Sequence, residues 1–234
     1  MIRSQARKWI GKETKSGELS GCLTTVLDPR GAAAEAYRTL RTNLIYATVD
    51  EAPKLVIVTS PGPAEGKSTI CANLGVVLAQ AGKSTLLIDC DLRRPTMHEI
   101  FGLRSARGLV NVVVAEENFE EACQKPLANL DLEVLTAGAL PPNPAEFVNS
   151  RRLSEFFATV REKFDHVLVD TSPLGEVSDP IILATQGDGV LLTLDARKTR
   201  KIKVQRAVRS LTAVGANVLG TVMNNTTTGK VGYY

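Results

Sequence analysis

Lys67 and Ser68 follow Gly66 in the stretch TSPGPAEGKST, Thr59 to Thr69. A lysine ammonium can neutralise a phosphate, and a serine hydroxyl is a hard oxygen ligand for Mg²⁺. Backbone N–H groups of a glycine-bearing turn that opens a helix point at an anion, and the helix dipole favours it there. The pattern G-x-x-x-x-G-K-[ST] joins these requirements. Its second half is intact here. Pro61 stands at its first glycine with Gly62 beside it, and Pro63 removes one N–H from the cradle. The other reading is a Gly/Pro turn that happens to precede a lysine. Three aspartates bear on the choice: Asp89 and Asp91 in LLIDCDLRRP, and Asp170 in HVLVDTSP. The alternation of an extended chain puts Asp89 and Asp91 on one side. Carboxylates at strand ends beside a phosphate loop can organise a metal. Lys67, Asp89, Asp91 and Asp170 at three strand ends therefore predict a Mg–nucleotide site.

Those residues need strands that end together and a helix that starts at Lys67. Apolar runs occur at LVIVTS, STLLIDCD, LEVLTAG, HVLVDTS, GVLLTLD and NVLGTVMNN. Helical periodicity lies between most of them, over 67–81, 145–163, 178–186 and 199–214. An earlier helix over AAAEAYRTLRTNLIYA carries an apolar stripe of Tyr37, Leu40, Leu44 and Ala47. The alternation predicts an α/β fold with a mainly parallel sheet and helices on both faces, a Rossmann-like three-layer arrangement. GALPPNPAEF reads as a stiff loop running into a helix start. Residues 1–30 are polar, rich in Lys/Arg and weakly patterned, and read as a flexible basic arm. Residues 31–225 form the domain, and 226–234 a Thr/Gly-rich tail without an apolar period.

The chain has 234 residues, enough for one medium α/β domain, and a formal net charge of +3, too mild to announce nucleic acid or acidic lipid. Cys22, Cys71, Cys90 and Cys123 lack metal spacing and read as reduced thiols of a cytosolic protein. No run has the length of a membrane span, and the N-terminus has no apolar core of a signal peptide. The expected location is the cytoplasm, with docking under the membrane through a partner.

Smaller signals stay open at the level of residues. Glu35, Arg38 and Arg41 make a slanting polar stripe, either a solvated face with an internal ion pair or a contact surface. ARKTRKIKVQRAVR carries seven basic residues from Arg197 to Arg209. It reads as a solvated face or a dock for an acidic partner, without the interleaved aromatics of a nucleic-acid surface. Glu65 is expected to turn away from phosphates, since like charges repel. Nothing is assigned to His98 or His166.

Taken together, these stretches resemble the deviant-Walker branch of P-loop nucleoside triphosphatases. The partition-type ATPases of that branch carry a lysine in K-G-G-x-G-K-[ST]. In register that lysine falls at Gly62, and its two glycines at Pro63 and Ala64, so this chain lacks it. The bacterial tyrosine kinases, the capsular and exopolysaccharide autokinase family, are much more similar, over roughly residues 28–234. TSPGPAEGKST, LLIDCDLRRP and VLVDTSP resemble that family's three nucleotide motifs, LTAGALPPNPAEF a family loop, and EAYRTLR its E-x-x-R-x-x-R helix.

The resemblance implies ATP and Mg²⁺ as cofactors, bound by Gly62, Pro63, Ala64, Glu65, Gly66, Lys67, Ser68 and Thr69. Ser68, Asp91 and Asp170 would hold the metal, and Asp89 would stand near the incoming hydroxyl as base. Asn224 would read adenine. Tyr233 and Tyr234 would be the acceptors, phosphorylated in trans, although family tails usually hold more tyrosines. Glu35, Arg38 and Arg41 would pack subunits into a ring. The implied partners are a separate transmembrane activator of polysaccharide co-polymerase type and a cognate phosphotyrosine phosphatase. No nucleic acid is expected. The alternatives are an ATPase switch of the cell-division and partition class and a non-catalytic nucleotide-binding adaptor.

Overall fold

A computed structural model describes residues 17–48 and 51–226. The first half of the expected arm, and Tyr233 and Tyr234, lie outside the described residues. The elements run α1 (Thr24–Leu27), α2 (Ala32–Ile45), β1 (Leu55–Thr59), α3 (Lys67–Gln80), β2 (Thr85–Cys90), α4 (Met97–Phe101), α5 (Leu109–Val114), α6 (Phe119–Ala122), β3 (Leu132–Leu135), α7 (Pro144–Val148), α8 (Arg151–Lys163), β4 (His166–Thr171), α9 (Asp179–Ala184), β5 (Gly189–Asp195), α10 (Lys201–Ala213) and β6 (Val218–Asn224). The strands form one parallel sheet in the order β3-β2-β4-β1-β5-β6.

Period-two alternation builds the three layers. In β1, Leu55 and Ile57 face a core shared with Leu109, Phe157, Leu183 and Leu211, on the side of α5, α8, α9 and α10. Val56 and Val58 face the opposite core, with Leu23, Leu44, Met97 and the whole inner side of α3. Both faces are covered, so the strands read as continuous apolar runs. From β1 the chain steps past β4 to β2, and later returns through β4 to β5 on the far side of β1. That reversal opens a crevice at the carboxyl ends of the central strands, where ligands of open α/β sheets bind.

The structure corrects three expectations. Residues 17–30 are not a free arm. The Gly17 N–H donates to the Gly102 carbonyl at 2.8 Å and the Ser20 N–H to that of Ile100 at 2.9 Å. Leu23 is fully buried, and Asn73 of α3 takes hydrogen bonds from the Thr25 N–H at 3.0 Å and the Thr25 hydroxyl at 2.8 Å. The helix expected over 145–163 is two helices, because Ser150 leaves the helical conformation and caps α8 by accepting from the Leu153 N–H at 3.3 Å. Ala47 lies beyond the end of α2 and is exposed, while Tyr37, Leu40 and Leu44 pack inward as expected.

His166 opens β4 with 3% exposure, and its Nδ1 donates to the Pro53 carbonyl at 3.2 Å. Burial lowers its pKa from 6.5, against the pull of that bond and of Asp165. The unfolded chain therefore takes up a proton before the fold does. Stability from this group is intact above about 6.5 and is lost as pH falls from there toward the folded value. Urea unfolding at pH 7.5 and 5.5 should show a loss of stability at the lower pH that His166→Gln, which keeps a donor, removes. Equal slopes in the two proteins would contradict it.

Candidate nucleotide-binding site

β1 ends at Thr59 and α3 begins at Lys67, so the loop between them lies over the carboxyl edge of the sheet. The Ser60 hydroxyl donates to the Gly62 carbonyl at 2.7 Å and tightens the first turn. Gly66 sits at φ +92°, and a Cβ there would come within 2.0 Å of Asn224 Nδ2, so both backbone and space demand glycine. Ala64 also takes a positive φ of 54°, unusual for a residue with a side chain.

Lys67 stands at the foot of α3 among the acids. Its Nζ is 2.7 Å from Asp91 Oδ2, 4.0 Å from Asp170 Oδ2 and 3.2 Å from the Ser68 hydroxyl. Burial alone would lower the lysine's pKa, but Asp170 and Asp91 outweigh it and raise it. Burial pushes Asp91 up, and Lys67 with the Ser172 hydroxyl pulls harder and holds it below its ordinary value. Ser172 donates to Asp91 Oδ1 at 2.8 Å. Asp170 is fully buried, and neither of its oxygens has a hydrogen-bond partner of ordinary length. Burial lifts its carboxyl to about 6 against the pull of Lys67 and Ser68.

Asp89 pairs in register with Asp170 across β2 and β4. Its carboxylate is turned to its own chain, accepting from the Thr96 and Met97 N–H groups at 2.9 Å each. Burial and then Asp170 push it up to about 8. Asp91 accepts from the Arg94 N–H at 3.1 Å. Arg93 turns outward to the buried Asp179 at the start of α9, 3.2 Å away.

Oxygen-only donors suit Mg²⁺, which usually takes one or two carboxylates together with substrate phosphates. Among the described residues no cluster of three or more His, Cys, Asp or Glu is arranged to hold an ion unaided. The buried oxygens of Asp170, beside Ser68 and Asp91, fit a cation that arrives with its nucleotide. In this state the Lys67 ammonium serves as their counterion.

The sequence-predicted residues thus fall into groups. Lys67, Ser68, Asp91 and Asp170 converge, with Asp89 beside Asp170 in the sheet. Gly62, Pro63, Ala64, Glu65, Gly66 and Thr69 lie on the same loop and first turn. The Glu65 carboxylate turns aside to accept from the Thr199 hydroxyl at 2.8 Å, as charge repulsion predicts. Asn224 lies against the loop, with its Nδ2 donating to the Glu65 carbonyl at 3.3 Å. Glu35, Arg38 and Arg41 are elsewhere, on α2. Glu35 pairs with Arg38 at 2.6 Å, Arg38 also donates to the Pro29 carbonyl, and Arg41 reaches the Val77 carbonyl at 2.9 Å.

Ser172, Lys198, Thr199 and Asp179 escaped the sequence reading. Ser172 lies in the quoted VDTSP, two residues past Asp170, and that spacing was its only signal. Lys198 and Thr199 were hidden in a basic run. A hollow of about 450 Å³ lined by Lys54, Phe157, Arg161 and Gln186 lies by the opposite, amino-terminal end of β1, and holds none of these residues.

Fold and site define a nucleotide-binding protein of the phosphate-loop class, and a family model described as AAA domain matches residues 52–215. The chain is 38% identical over 226 residues to tyrosine-protein kinase YwqD of Bacillus subtilis (strain 168), covering 95% of each chain. It is 35% identical over 196 residues to the putative tyrosine-protein kinase CapB of Staphylococcus aureus, covering 84% of this chain and 86% of that one. The crystal structure of the chimerical protein CapA2B2 superposes with a TM-score of 0.84 at 32% identity, covering 91% of this chain and 94% of that one. The chain belongs to the bacterial tyrosine-protein kinases.

Proposed function

We propose that this chain is an ATP- and Mg²⁺-dependent protein-tyrosine autokinase. It transfers phosphate to Tyr233 and Tyr234 of a neighbouring copy and thereby regulates assembly and export of a capsular or exopolysaccharide. The observation that carries the reading is the buried constellation of Lys67, Asp91 and Asp170 at the foot of α3, in a chain of this family. Phosphoryl transfer is mainly positioning and charge neutralisation, and that constellation supplies both. The loop N–H groups and Lys67 bind and orient the phosphates. Ser68, Asp91 and Asp170 would hold Mg²⁺, whose chemistry is to neutralise phosphate charge. A tyrosine hydroxyl with an ordinary pKa near 10 must lose its proton to react. Asp89, which pairs in register with Asp170 at the strand ends, is the group proposed to take it. Asn224 would contact adenine.

No helix among the described residues is long and apolar enough to cross a membrane. A transmembrane partner of co-polymerase type is proposed to bring the kinase to the membrane and complete its site, with a phosphatase to reverse the mark. Phosphotyrosine mass spectrometry after incubation with Mg-ATP, with and without a candidate activator tail, tests the reading. Phosphate on Tyr233 or Tyr234 supports it. Hydrolysis without phosphotyrosine in every condition would replace it with an ATPase switch.

Ring formation through α2 makes a separate prediction. Glu35 is exposed, and an exposed i,i+3 pair with Arg38 stabilises the helix by only about 0.2–0.5 kcal/mol. Its loss should leave the fold standing. Glu35→Ala with Arg38→Ala and Arg41→Ala is expected to give a folded monomer by light scattering. An assembly of unchanged size would refute the contact.

A further inference from the structure

A phosphate loop works only if its peptide N–H groups face the anion, which obliges the carbonyls of the same peptides to face away. Those carbonyls need partners of their own. Here Pro63, Ala64 and Glu65 present three carbonyls in succession, and residues from outside the loop hold all of them. Lys198 Nζ donates to the Pro63 carbonyl at 3.1 Å and to the Ala64 carbonyl at 2.7 Å. Asn224 takes the Glu65 carbonyl. Thr199 takes the Glu65 side chain, which is 3% exposed and whose Oε2 has no hydrogen-bond partner.

Lys198 and Thr199 are themselves fixed. They belong to the turn between β5 and α10, where the Asp195 carbonyl accepts from the Lys198 N–H at 3.2 Å and the Thr199 N–H at 2.9 Å. The Thr199 hydroxyl accepts from the Asp195 N–H at 2.9 Å, so its own proton is free for Glu65. Asp195 Oδ2 accepts from Asn225 Nδ2 at 3.0 Å, tying the ends of β5 and β6 together. The turn is a rigid bracket built on the sheet.

We propose that Lys198 and Thr199 are positioning residues for the nucleotide: they clamp the outer side of the phosphate loop so that its N–H groups present inward. The inference rests on the nucleotide reading of that loop. Lys198 acts in two ways. It pins two carbonyls of a segment that includes the strained Ala64, and its charge polarises those peptides, which strengthens their N–H groups as donors. No acid pairs with Lys198 within 4.0 Å among the described residues, so its charge is spent on the loop.

The test is titration calorimetry of the full chain with ADP, together with steady-state kinetics in ATP. Lys198→Met is expected to weaken ADP binding by about tenfold, the loss of two charge-assisted hydrogen bonds, and to raise KM for ATP more than it lowers kcat. Lys198→Arg, which keeps charge and donors, should restore most of the affinity. Thr199→Val should weaken ADP by about threefold, as a single hydrogen bond to a carboxylate would. Melting without nucleotide should fall by only about 2–4 °C in Lys198→Met, because its side chain is exposed apart from the loop contacts. ADP affinity within twofold of the parent protein in Lys198→Met, or a loss that Lys198→Arg shares in full, overturns the clamp alone. Failure of the parent protein to bind ADP overturns the nucleotide reading and the clamp with it.

Discussion

Lys67→Met should lose at least about 10²–10³-fold in phosphate transfer to Tyr233 and Tyr234, the scale of removing one preorganised charge-stabilising group. Among the described residues, the lysine is the one cation within 4.0 Å of both Asp91 and Asp170. Without it the two carboxylates face one another, and binding of a polyanionic nucleotide loses its nearest counter-charge. The same variant measures the direction of transfer. Mixed with a protein that keeps Lys67 but carries Tyr233→Phe and Tyr234→Phe, it should acquire phosphotyrosine on its own intact tail. If neither protein of the mixture is labelled while the parent protein labels itself, transfer occurs within one chain, and the trans reading fails.

Asn73→Ala should cost about 3 kcal/mol in urea unfolding and open residues 17–30 to protease. Asn73 is fully buried in α3. Its oxygen accepts from the Thr25 N–H and hydroxyl, and its amide donates to the Cys22 and Thr69 carbonyls at 2.9 Å each. Alanine leaves the buried Thr25 N–H and the half-buried Cys22 carbonyl without those partners. Leu23, wedged into the core beside them, would lose its tether. A cost below 1 kcal/mol with unchanged proteolysis would mean that packing of Leu23 alone holds the segment.

Asn73 also marks where sequence reasoning stops. The strands were legible because each is buried on both sides and so is written in unbroken apolar residues. Lys67, Ser68, Asp91 and Asp170 were legible because a phosphate loop and strand-end carboxylates have fixed spacings. Residues 17–30 were not, since their place depends on long-range partners, Gly102, Ile100 and an asparagine 48 residues away from Thr25, and no local period records such bonds. The break between α7 and α8 was hidden for another reason. Asn149 and Ser150 are tolerable inside a helix, and only the capping bond to the Leu153 N–H shows that Ser150 starts a new one. Lys198 was lost within its own composition. Among seven basic residues in a row of thirteen, the one that bonds the loop carbonyls looks like its neighbours.

Ten of the fourteen residues of α3 are buried, between the sheet and the α1–α2 layer. Mobile ions approach such a helix only at its exposed end. At physiological ionic strength they screen exposed charges over about 8 Å, and buried ones much less. The positive end of α3 and the Lys67 ammonium, on the half-buried first turn of that helix, keep more of their pull on an anion as salt rises. The basic outer side of α10 stands in solvent and loses its pull. Brine would thus separate two cationic features of this molecule: the one proposed to grip phosphate is partly insulated by the fold, and the one on its surface is at the mercy of the medium.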